Sequence, residues 1–274
     1  MFAIAVCKRS GKRGQMSTVE RREAIVRLVR DQGLVRVEDL AERFKVSSVT
    51  IRNDLNYLDN KGLLLRSHGG AMALDEAVKE MPFADKGSVN ITEKAAIGAA
   101  AAELVNDGES IILDSGTTTQ HLARHLVHNH NLVVMTNGLN VANELVRADG
   151  IEIMMTGGTL RSKSHSFFGS QAEDALRQYR FDKLFLGADG FDLVAGLTTH
   201  FDREASLNRV MCDISGEIIL LVDSSKFGRK GYHFIRSFGA FHTLVTDKGI
   251  PADYMASLQR QGVRVIVADS EDNA

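Results

Sequence analysis

Two short stretches of this chain gather side chains able to do chemistry. In LDSGTTTQHLARHL, residues 113–126, the run Asp114, Ser115, Gly116, Thr117, Thr118 and Thr119 separates an apolar segment from a helical one. Clustered hydroxyls beside the unpaired N–H groups of a helix start form an anion site, for which a phosphate is the natural guest. Capping a helix would need only one such hydroxyl. Similar turns follow other apolar runs: Thr136-Asn137-Gly138, Thr156-Gly157-Gly158 and Asp189-Gly190. Crevices beyond strand ends are where open α/β sheets bind ligands. Asp189 and Glu204 suit sugar hydroxyls, with a purely structural role equally open. Lys226 can balance phosphate charge or sit at the surface.

The second stretch is KVSSVTIRNDLNYLDNKGLL, residues 45–64. Ser47 is a good N-cap, and Ile51, Leu55 and Leu58 recur at i, i+4 and i+7, so they should face a small core. Rotating about 100° per residue puts Val49, Asn53 and Asn56 opposite that core, with Arg52 flanking. Asparagine can bond adenine, arginine guanine, and valine a thymine methyl in a major groove, while Ser47, Ser48 and Thr50 at the helix start can meet backbone phosphates. Any surface helix has a polar face, so this face alone leaves DNA binding and plain solvent exposure both open.

The elements that must hold these groups favour DNA binding. Ser17 and Glu20 make a capping box for a first helix that Gly33 stops. VRV at 35–37 is strand-like, and EDLAERF at 38–44 offers a second helix. After the 45–64 stretch, whose helix Gly62 should end, LLLR at 63–66 reads as a strand. SHGGA at 67–71 reads as a turn that places Arg66 and His68 on a wing beside the DNA backbone. Residues 1–16 read as a basic flexible arm, 17–74 as a winged helix-turn-helix, and 75–90, with one of only two prolines, as a linker. From 91 to 270 helical and apolar segments alternate through SIILD, LVVMT, IEIMMT, DKLFLG, EIILLVD, TLVTD and VRVIVAD. That rhythm predicts a mainly parallel sheet covered by helices.

Composition agrees with two domains of unlike charge. The net charge of −2 over 274 residues hides 14 Lys and Arg against 8 Asp and Glu in residues 1–74, and 19 against 27 in the remainder. A basic head on an acidic body suits a polyanion partner. No run approaches the roughly 20 apolar residues of a membrane span. Two cysteines make neither a metal pair nor a disulfide framework, which points to the cytoplasm.

ERREAIVRLV, VEDLAERFKVSSVTIRNDL and GLLLRSHGGA together resemble the N-terminal domain of the DeoR family of bacterial transcriptional regulators. Asn53 departs from the family's TIRRDL run, so base preference does not transfer. EKAAIG, DSGTTT, TNG, TGG, FDKLFLGADG and DSSKF resemble the family's effector domain, which implies an α/β fold like that of sugar-phosphate isomerases. MTNGLNVANEL, MTGGTLRSKSHSFFGSQAE and THFDREASLNRVMC are similar to the branch that represses N-acetylgalactosamine utilisation. The resemblance implies double-stranded operator DNA as partner and a phosphorylated amino sugar as the effector that releases it. One small winged domain buries too little for tight specific binding, so a homodimer or homotetramer is expected. The rival expectation, an isomerase using Asp189 and Glu204, lacks the acid pair and lysine-bearing turn of that enzyme pattern: GADG and GLTTHF stand there. His121 and His125 stand at i and i+4, a spacing that could hold zinc. Yet His121, His125, His128 and His130 have no Cys or carboxylate at ligand spacing and no HExxH glutamate, so no metal and no cofactor is expected.

Overall fold

The computed structural model describes residues 16–61, 63–67, 69–73 and 81–269. The basic arm over 1–15, the helix stop Gly62, the wing residue His68 and linker positions 75–80 lie outside the described residues. The chain divides into two compact units, Met1–Asp75 and Glu76–Ala274.

The first unit holds α1 (Thr18–Gln32), β1 (Leu34–Arg36), α2 (Val37–Phe44), α3 (Ser48–Asn60), β2 (Leu65–Ser67) and β3 (Gly70–Met72). The capping box forms as expected: the Ser17 hydroxyl accepts from the Glu20 N–H, and the Glu20 carboxylate accepts from the Ser17 N–H. Gly33, at φ 73°, ends α1 in a conformation that favours glycine. The helices enclose Ile25, Val29, Leu40, Ile51, Leu55 and Leu58, all buried. The three strands pair antiparallel in the order β1-β3-β2, which makes the wing. Gly70 is required there, because a Cβ would lie 2.0 Å from the Val35 carbonyl oxygen.

The second unit begins with α4 (Phe83–Ser88) and α5 (Ile91–Ala102), then alternates through β4 (Ser110–Leu113), α6 (Thr117–His125), β5 (Leu132–Thr136), α7 (Leu139–Leu145) and β6 (Ile151–Met155). A hairpin of β7 (Thr159–Arg161) and β8 (Ser166–Phe168) leads to α8 (Ser170–Arg177) and β9 (Phe181–Leu186). There follow β10 (Gly190–Asp192), β11 (Gly196–Thr199), α9 (Asp202–Asp213), β12 (Ser215–Leu221), β13 (His233–Arg236), β14 (Thr243–Thr246), α10 (Ala252–Arg260) and β15 (Arg264–Val267). Seven strands form a parallel sheet in the order β15-β14-β12-β9-β4-β5-β6. Each is one of the seven apolar runs read from sequence. Side chains alternate across the sheet, so Ile112 packs in one core while Ile111 and Leu113 pack in the other. Burial of both faces is why these strands read as unbroken apolar runs.

Two local features bear on the site. The helix α5 packs close on α6 because Gly98 carries no side chain: a Cβ there would sit 2.7 Å from the His121 backbone. Residues 81–90, read as part of a linker, instead contribute α4 and the left-handed Asn90, whose amide donates to Asp223 at 2.8 Å.

Candidate functional site

Ser47 caps α3 through its hydroxyl, which accepts from the Thr50 N–H at 3.1 Å. The core face falls as the spacing predicts, with Ile51, Leu55 and Leu58 at most 2% exposed. Opposite them Val49, Arg52, Asn53 and Asn56 are exposed, Val49 by 61%. Ser48 and Thr50 are half-buried at the helix start, and the Ser47 and Thr50 hydroxyls lie 2.9 Å apart. The Arg66 guanidinium reaches back from the wing to donate to the Asn56 amide oxygen, and the Arg66 N–H donates to Asp59 at 3.2 Å. The wing is therefore fastened to α3.

Asp54 went unread in the sequence. It sits in the apolar stripe of α3 at 2% exposure and accepts from Arg21 Nε at 2.6 Å and Arg22 Nε at 2.7 Å. Arg22 also lies over the Tyr57 ring, 3.8 Å from its centroid. A carboxylate at i+3 between Ile51 and Leu55 was the available signal, since a charge on a buried stripe demands partners.

In the second unit a cavity opens where the carboxyl ends of β4 and β9 meet. Strands run outward from this seam in both directions, β5 and β6 one way and β12, β14 and β15 the other, so it is the topological switch point of the sheet. Asp114, Gly116, Thr117 and Thr118 line it from the end of β4 and the start of α6, Asp189 from the end of β9, Glu204 from α9, and Lys226 from the turn after β12. These seven sequence-read residues are brought together.

Five others are not. Ser115 is buried and its hydroxyl donates weakly to Asp114 at 3.4 Å. The Thr119 hydroxyl is buried against the Asp114 and Gly116 carbonyls at 2.6 and 2.7 Å, which fixes the turn and leaves nothing for a ligand. Asn137 is fully buried, its amide nitrogen 3.5 Å from the Phe167 carbonyl. Gly157 and Gly158 have φ of 64° and 100°, and a Cβ on Gly158 would lie 2.6 Å from the Phe168 carbonyl oxygen, so they serve backbone geometry. Conversely Lys86, Lys94, Thr199 and Asn208 line the cavity unread.

The electrostatics of the cavity are unbalanced. Burial lifts the Asp114 carboxyl to about 6, against hydrogen bonds from Ser115 and the Gly187 N–H. Burial, reinforced by the Asp189 and Asp114 charges, lifts Glu204 to about 8. Burial acts on Asp189 too, but bonds from His200 Nδ1 at 2.6 Å and Lys86 Nζ at 2.5 Å, with Thr199 at 3.0 Å, outweigh it and hold this carboxyl below the usual range. Desolvation lowers Lys94 to about 8, although its ammonium donates to the Val89 carbonyl at 2.7 Å and to the Lys86 carbonyl. Lys226 is lowered for the same reason. Three lysines and the first turn of α6 thus face three carboxylates, two of which are held toward the neutral form. Such a site can take an anion and hydroxyl groups together.

Comparison with known proteins adds to this geometry. The profile of the DeoR C terminal sensor domain matches residues 89–248, and that of the DeoR-like helix-turn-helix domain matches residues 21–77. A protein of Escherichia coli named for transcriptional repression of the aga operon is 45% identical over 94% of this chain and 97% of its own. The glycerol-3-phosphate regulon repressor of the same species is 36% identical over 89% and 96%. A structure of D-ribose-5-phosphate isomerase with phospho-erythronic acid overlaps 49% of this chain and 52% of its own at 19% identity and a TM-score of 0.37, too partial to argue from.

Proposed function

The chain belongs to the DeoR family of transcriptional regulators, and from that premise we propose that it represses genes for amino-sugar use, such as those for N-acetylgalactosamine, until a phosphorylated amino sugar fills the cavity of its second unit. At the coarser level it is a DNA-binding repressor of carbohydrate genes and a regulator, not an enzyme. The carrying observation is the cavity at the β4/β9 seam, where the α6 N-terminus and three lysines meet three carboxylates.

In this reading the phosphate sits on the N–H groups and hydroxyls of Thr117 and Thr118, with Lys94 and Lys226 closing on it. A helix start supplies partial positive charge, and a dianion beside lysines lowered by burial favours their charged form. Asp114, Asp189 and Glu204 take the sugar hydroxyls. Asp189 is a poor general base, because its oxygens are already engaged by Lys86, Thr199 and His200.

In the head, Val49, Arg52, Asn53 and Asn56 read base edges, Ser47, Ser48 and Thr50 approach phosphates, and Arg66 lies along the backbone. One small winged domain buries too little for tight specific binding, so the repressor acts in the cytoplasm as a homodimer or homotetramer on repeated half-sites. Release requires that the sugar phosphate bind the two states unequally, a coupling of about 1–3 kcal/mol in known cases.

The test pairs thermal melting with operator release. A bound ligand raises stability by RT ln(1 + [L]/Kd), so N-acetylgalactosamine 6-phosphate should shift the melting midpoint where N-acetylgalactosamine does not, and the same compound should free labelled operator DNA. Melting and operator binding that ignore every phosphorylated sugar would sink the sensor reading while leaving the head untouched.

A further inference from the structure

Resting on the sensor reading above, the inference concerns α9, which presents two side chains to the cavity one helical turn apart, Glu204 and Asn208. Asn208 is 2% exposed, and its amide oxygen is buried with no hydrogen-bond partner among the described residues. An unsatisfied buried amide costs free energy, so structural asparagines are normally tied down. Asn137 and Asn140, which also bury a lone amide oxygen, are each anchored through their amide nitrogen to a carbonyl at 3.5 Å and do not line the cavity. Asn208 thus stands in the cavity with unmet hydrogen-bonding capacity. Its neighbour Glu204 is raised to about 8 by burial and by the Asp189 and Asp114 charges, so near neutral pH its carboxyl is largely protonated and both donates and accepts.

We propose that Asn208, paired with Glu204, is the residue of the cavity that discriminates between ligands, by hydrogen bonding to the hydroxyl or amide substituents of the sugar ring rather than to its phosphate. The division of labour is by element: α6 and the lysines take the anion, and α9 reads the ring.

Calorimetric titration of the full chain with N-acetylgalactosamine 6-phosphate and with inorganic phosphate tests this. The Asn208→Leu variant, similar in volume and without polar atoms, should bind the sugar phosphate about tenfold more weakly while its affinity for inorganic phosphate stays as in the wild type. Its ligand-free melting midpoint should equal or exceed that of the wild type, because the substitution removes a polar group that the empty cavity leaves unsatisfied. Asn208→Ala provides the same comparison should the leucine variant fail to fold. Unchanged affinity for the sugar phosphate, or an equal loss for both probes, would overturn the assignment. A wild type that binds neither probe would instead bring down the sensor reading and the inference with it.

Discussion

The head and the cavity both bury charge, but they close the account differently. In the head Asp54 is met on both oxygens by Arg21 and Arg22, and nothing around it asks for a further partner. In the cavity Asp114 and Glu204 are pushed toward neutrality, Lys94 and Lys226 are lowered, and Asn208 keeps an unpaired amide oxygen. A buried polar group whose bonding is complete holds a structure in place; one whose bonding is incomplete and which also lines a cavity is placed to receive a ligand. The same residue types therefore mean different things in the two units.

The largest expected effect tests the closed half. Asp54→Ala leaves two arginines packed without their carboxylate, and breaking a buried pair in this way costs about 3–5 kcal/mol. Chemical denaturation of this variant should show the head unfolding first, with operator binding lost and the sugar-phosphate response of the second unit kept. A variant as stable as the wild type would mean that water replaces the carboxylate and that Asp54 holds nothing.

Next in size are the exposed readers. Arg52→Ala and Asn53→Ala should each lower operator discrimination by about 1–3 kcal/mol without changing the melting midpoint, because neither side chain is buried. Footprints identical to those of the wild type on cognate and scrambled operators would remove these residues from the reading face.

A third test uses pH, and it separates the carboxylates. Glu204 has a folded value near 8 against a usual 4.5, so the unfolded chain gives up this proton first. Its contribution is present below about pH 4.5 and is lost as pH rises toward 8, so stability falls across that window. Glu204→Gln should flatten that fall when melting is followed from pH 5 to 9. Asp189 works in the opposite sense: its value is depressed, so the stability it brings is present above the ordinary carboxylate range and is lost progressively as pH falls below it. A Glu204→Gln variant that keeps the wild-type slope would show that this carboxyl is ionised when folded.

The fold and the site are legible in the sequence where neighbours in sequence are also neighbours in space. The seven parallel strands and α3 were legible because burial of both sheet faces, or of one helical stripe, writes a pattern within a single run. Strands such as β7, β10 and β11 begin or end at turns and carry no unbroken apolar run, so nothing in the sequence marks them. Thr117 and Thr118 announced themselves beside a glycine. Lys86, Lys94 and Asn208 did not, since a lysine or asparagine on a helix looks like solvent-facing surface until another element is known to lie over it. Thr119 failed for the converse reason: it shares the composition of the anion turn, yet its hydroxyl is spent on two carbonyls.

The bond between Asp54 and the two arginines of α1 has one more consequence, for how ionic strength acts on the head. Dissolved ions screen charges at the surface over roughly 8 Å under physiological conditions and compete directly for DNA phosphates. Arg52 is open to that competition, whereas Arg21 and Asp54 are packed beneath the surface, where screening is weak. Rising salt should therefore lift the head from its operator without loosening the helix that reads it. The reading helix is thus tied to α1 by ion pairs that salt in solution hardly reaches.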